Sequence, residues 1–139
     1  MRKLVIAVAA AGLMALTSVA ASAHISQVQL GPRVGIQSGN PTTGVNTVAR
    51  YHIGVWCSLG ENVSATVTLK QGTHTDTSTD GDACKGVNVH RRLNDFHFEG
   101  FHVGTGTATA VVTTSDNDQW TVSRGVRIID CTGANACSP

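Results

Sequence analysis

Large aromatic and helix-favouring side chains are scarce in this chain. Among 139 residues there are three Phe, two Trp and one Tyr. Beyond residue 23 there are only four Leu, two Glu and two Lys, which removes several of the best helix formers. No stretch in that region approaches the roughly 20 apolar residues of a membrane-spanning helix. No basic run is visible beyond Arg91-Arg92, so nucleic acid and anionic membrane are excluded as expected partners. Motifs for chemistry are missing too. There is no G-x-S-x-G, H-E-x-x-H, P-loop or C-x-x-C pair, and nothing in the linear sequence supports catalysis or a structural zinc site.

What is present starts with a targeting segment. Arg2 and Lys3 precede an apolar run from Leu4 to Leu16, and Ala21-Ser22-Ala23 offers small residues at a cleavage site. Residues 1–23 are read as a cleaved signal peptide, so the mature protein is expected to be secreted and to begin at His24. An earlier cut would start it at Ala21 or Ser22. Residues 24–139 are expected to form a single domain without a membrane anchor. Loss of Arg2 and Lys3 leaves eight basic residues against nine acidic ones, a net charge of about −1.

Cys57, Cys84, Cys131 and Cys137 make an even count in an exported chain, which argues for two disulfides. Four cysteines allow three connectivities, and spacing does not choose among them. The favoured one is Cys57–Cys84 with Cys131–Cys137, because the second pair brackets only TGANA and can close locally.

The mature region holds sixteen Thr and fourteen Val, a β-favouring composition. Period-2 alternation agrees. Val63, Ala65, Val67 and Leu69 alternate with polar residues, as do Ala108, Ala110 and Val112, and Tyr51, Ile53, Val55 and Cys57 share one face. Strands are expected near 25–30, 33–38, 45–57, 62–70, 84–91, 96–103, 105–114 and 120–130. Turn-rich segments, including QGTHTDTSTDGD at 71–82, separate them. Seven or eight short strands imply an all-β, immunoglobulin-like antiparallel sandwich. An open barrel or jelly roll is the alternative.

Three local readings follow. A turn centred between Leu93 and Asn94 would make a hairpin that places His90 opposite His97, with Phe96 and Phe98 on the apolar face and a bulge at Gly100 returning Phe101 and Val103 to it. His52, Gly54 and Trp56 fall on the face of their strand opposite Cys57, so His52 and Trp56 form a candidate ligand-binding stripe for a sugar or aromatic molecule. Asp76, Asp80 and Asp82 invite calcium, but their spacing is not that of a calcium loop and a solvated loop is the better reading.

The stretch Tyr51–Thr113 resembles small secreted immunoglobulin-like domains of uncharacterised function from high-GC Gram-positive bacteria. The matching features are Tyr51 before Cys57, the alternating strand Val63–Leu69 ending at Gln71, an acidic Gly-rich loop, Cys84 with Gly86, and Phe101-x-x-Gly104-x-x-x-Ala108. The resemblance implies the sandwich fold and a Cys57–Cys84 bridge, and carries no activity. Asp130-Cys131-Thr132 with Ala136-Cys137 is similar to the short disulfide loop of the neocarzinostatin family, secreted carriers of a labile aromatic ligand. That family continues with another strand where this chain has Ser138 and Pro139.

An N-terminal His24 would chelate copper(II) through its α-amine and imidazole, with another imidazole completing the site. His90 and His97 are the candidate partners, with Glu99 beside them. This terminus resembles those of periplasmic copper carriers and copper-dependent polysaccharide oxygenases. The leading expectation is a secreted, non-catalytic domain that binds an extracellular ligand or protein. Copper binding and small-molecule carriage are the alternatives.

Overall fold

The computed structural model describes residues 25–57, 60–84, 89–133 and 137. Among them lie eight strands and no helix: β1 (Ile25–Leu30), β2 (Arg33–Ser38), β3 (Val48–Cys57), β4 (Asn62–Gln71), β5 (His74–Ala83), β6 (Val89–Glu99), β7 (Gly104–Thr114) and β8 (Gln119–Asp130). They form a β-sandwich. One layer is β1–β3–β6, the other β2–β8–β7–β4–β5. β2 joins the layers by pairing antiparallel with the start of β3 and parallel with β8, the one parallel pair in an otherwise antiparallel fold. β1 takes over beside the second half of β3, from Leu30↔Ile53 to Ile25↔Cys57.

The alternation read from the sequence places the core correctly. Tyr51, Ile53, Val55, Val63, Ala65, Val67, Leu69, Ala108, Ala110 and Val112 are all buried in one hydrophobic cluster. With so few rings available, Phe96, Phe98 and Phe101 join Tyr51 in that cluster, and Phe98 meets Phe101 edge to face with centroids 6.3 Å apart. Both favoured disulfides are present and no cysteine is free. Two such bridges fit an oxidising compartment.

Two expectations fail. The hairpin at 84–103 does not form, and β6 runs as one strand along nearly the whole of β3. Register shifts at Asn94 and Asp95, since Tyr51 pairs with Phe96 but Ile53 with Leu93. These polar residues form a bulge rather than a turn, and the bulge lets Leu93, Phe96 and Phe98 all point inward. Gly100, at φ +81°, ends the strand instead of bulging it. Phe101 is buried beyond it, while Val103 stays 47% exposed.

The segment 71–82 is not a loop. Gly72 and Thr73 make a two-residue turn, with Gly72 at φ +59°, and β5 then pairs with β4 from Gln71↔His74 to Asn62↔Ala83. Its alternation is Thr against Asp and Ser. Thr77 and Thr79 share hydroxyl hydrogen bonds with Thr68 (3.2 Å) and Thr66 (3.1 Å). On the other face, side chains of Asp80, Ser78 and Asp76 accept hydrogen bonds from the backbone N–H of Asp95 (3.1 Å), His97 (3.0 Å) and Glu99 (2.9 Å). A ladder of side chains therefore ties β5 to the edge of β6 and closes one flank of the sandwich. The acidic loop read from the sequence is a structural clasp.

Candidate functional site

The outward face of β3 carries the site. His52 and Gly54 line a concavity of about 330 Å³ with Gln29, Pro32, Arg92 and Arg124. An adjoining one of about 200 Å³ shares His52 and Arg92 and adds Gln37, Arg50, Asn94 and Cys137. Gly54 faces Gln29 on β1 and Arg92 on β6, so its missing side chain leaves the depression between them. The combined space suits a small ligand.

The wall formed by Leu30, Gly31 and Pro32 is pinned from several directions. The buried Tyr51 hydroxyl donates to the Gly31 carbonyl (2.9 Å), and the Gly31 N–H donates to the His52 carbonyl (3.3 Å). Arg124 Nη1 reaches from β8 to the Leu30 carbonyl (2.9 Å), and the Arg127 N–H donates to the Pro32 carbonyl (3.0 Å). Burial raises the Tyr51 pKa far above the ordinary phenol value, against a smaller opposing effect of Arg124, so the hydroxyl remains a donor. At the other rim, Asp130 Oδ1 accepts from the Thr132 hydroxyl (2.6 Å) and backbone N–H (2.9 Å), shaping the start of the Cys131–Cys137 loop. These two bonds hold the Asp130 carboxyl below its usual range.

His52 is the singular group in the cleft. Its Nδ1 is buried and has no hydrogen-bond partner. Desolvation lowers the imidazole pKa, and the charges of Arg92 and Arg33 lower it further. The ring is therefore neutral at physiological pH. The consequence for stability has a definite sign. The unfolded chain takes up a proton at His52 near pH ~6.5, whereas the folded chain resists it until a lower pH. Stability is expected to fall as pH drops through the ordinary imidazole range and to level off below the folded midpoint of His52. Thermal unfolding of wild type and His52→Gln between about pH 8 and about pH 5 checks this. The variant should show a shallower acid slope, and identical slopes would remove the effect from His52.

The other residues singled out in the sequence separate. Trp56 lies on the same strand but lines neither concavity. His97 is exposed, with Nε2 3.6 Å from Asp95, which also faces Arg50 Nη2 at 3.7 Å. The expected His90–His97 cross-strand pair does not exist. Both residues belong to β6, where His90 pairs with Trp56 and His97 with Arg50, some 20 Å apart at strand rise. His24 and the side chain of His90 lie outside the described residues. Among those described, no group of three His, Cys, Asp or Glu is arranged to hold a metal. A shallower concavity of about 520 Å³ near His74 offers less, because His74 Nε2 already bonds the Glu99 carbonyl at 2.7 Å.

The sequence reading missed the arginines. Arg33, Arg50, Arg92 and Arg124 come from β2, β3, β6 and β8, and no local pattern links them. Among the described residues the cavity linings contain no carboxylate, serine, threonine or free thiol. This arrangement can donate hydrogen bonds and hold charge. Compared with known proteins, the chain matches no family model and no curated protein, so the reading of the cleft rests on its own geometry.

Proposed function

We propose that the chain is a secreted, non-catalytic binding domain whose ligand enters the cleft beside His52. The observation that supports this most is the buried, unpartnered Nδ1 of His52, a residue that lines both concavities. An unsatisfied buried polar atom costs about 1–3 kcal/mol, and a turn of the ring that brings Nδ1 to a ligand group would recover it. A panel of small polar compounds (neutral sugars, amino acids, carboxylates and phosphates) tests it by amide NMR on the oxidised mature domain. Binding should shift Gly31, His52 and Gly54. Shifts mapping instead to the threonine face of β4 and β5 would overturn the reading.

Copper(II) at an N-terminal His24 is a second proposal, and the strand register bears only on which histidine of β6 it could use. Ile25, Cys57 and Val89 lie abreast at one end of the β1–β3–β6 layer. His97 pairs with Arg50 at the far end of β6, too distant from Ile25 to serve a site at that end of the layer. Tight copper binding should vanish when one extra residue precedes His24 and survive His97→Ala. Equal, weak binding with and without the extension would dismiss it.

A further inference from the structure

Resting on the cleft described above, the geometry points to an oxyanion, the carboxylate or phosphate of a small ligand, as the group that the His52 cleft recognises. Arg50, Arg92 and Arg124 line the two concavities, and Arg33 lies close enough to act on the His52 ring. Outside the leader the chain has eight basic residues against nine acidic ones, and half of the basic ones gather here. Among the described residues no acidic side chain lines either concavity, and Asp130 and Asp95 stand at the margins. Asp76 and Asp80 occupy the clasp between β5 and β6, and Asp95 sits beside Arg50 and His97 without entering either lining.

The donors are also pre-set. Arg124 spends Nη1 on the Leu30 carbonyl, which fixes its guanidinium at the wall. A planar guanidinium fork matches the paired oxygens of a carboxylate or phosphate. Amide side chains of Gln29, Gln37 and Asn94 complete the linings and suit hydroxyl or carbonyl groups on the rest of the ligand. Arg50 already faces Asp95 at 3.7 Å, and an anion in the cleft would further offset the mutual repulsion of the arginines.

The test titrates the oxidised mature domain with sodium phosphate and, separately, sodium acetate, at ionic strength held constant with sodium chloride. Amide and His52 ring NMR signals report binding. Saturable shifts at His52, Gly54 and Arg92 are expected with phosphate, acetate or both, and the comparison tells which oxyanion fits. The Arg33→Gln/Arg92→Gln variant should bind about ten-fold more weakly or worse, equivalent to at least ~1.4 kcal/mol. Lys70→Gln, an exposed substitution on β4, should leave binding unchanged. Shifts that never saturate, or that are equal in the double-arginine variant, would overturn the oxyanion assignment. If both anions fail while a neutral sugar shifts Gly54, the assignment falls and the cleft reading stands. If nothing tested moves these signals, both fall.

Discussion

Replacing Cys57 and Cys84 together with alanine is expected to lower the unfolding free energy by about 3–4 kcal/mol. The bridge closes a separation of 27 residues, and in the loop-entropy account its main effect is on the unfolded chain. Its position adds to that effect. Cys57 ends β3 in one layer, and Cys84 follows β5 in the other, so the bond spans the sandwich. Both residues are buried, at 1% and 3% exposure, and alanine would leave unfilled volume as well. The Cys131–Cys137 bond closes only six residues, and removing it should cost nearer 2 kcal/mol. Urea unfolding of the two double variants gives the comparison. Equal midpoints, or an unchanged one for the first variant, would contradict this account of what holds the layers together.

The second large effect is expected at the clasp. In Asp76→Ala/Asp80→Ala, two N–H groups of the β6 edge lose their acceptors, and the N–H groups of Thr77 and Gly81 lose theirs on β5, since the same two carboxylates accept those bonds at 2.8 Å. Charge-assisted bonds are individually strong, but these are exposed and water competes for them, so a loss of about 2 kcal/mol is expected. The second consequence concerns association. Freed strand edges pair with other chains, and the double variant should self-associate at concentrations where wild type does not. Asp76→Asn/Asp80→Asn keeps an acceptor oxygen at each place and should recover most of both properties. Sedimentation and thermal unfolding measure them. A stable, monomeric alanine variant would show that the β5–β6 ladder is incidental.

The clasp also shows where the sequence was and was not legible. β4 and β7 bury one face against the core, and their apolar alternation marked them at once. β5 has the same period, but between threonine and aspartate or serine, so apolar periodicity missed it. Its turn-forming residues gave the opposite signal. At β6, Asn94 and Asp95 carry the composition of a turn, and only pairing with β3, far earlier in the chain, makes them a bulge.

The candidate site divides in the same way. That His52 and Gly54 face away from the core followed from strand parity, since Cys57 and Tyr51 point inward. The arginines did not follow from anything local. They converge because β2 crosses between layers, β6 lies beside β3, and Arg124 extends from β8 across the flank to Leu30. Such a cluster is a property of the topology. The linear chain, with a nearly balanced charge, shows no basic patch.

The most direct test of the cleft is the NMR titration of the His52 ring with pH in the free, oxidised domain. Gln29 on β1, Arg33 on β2, Arg50 on the ring's own strand, Arg92 and Asn94 on β6 and Arg124 on β8 surround it, with Asp95 beside Arg50 and no carboxylate among the described lining residues. The account predicts a midpoint below the ordinary imidazole value, moving upward when phosphate or acetate is bound. An ordinary midpoint, unmoved by either anion, would mean an exposed ring remote from the arginines, and would contradict the account.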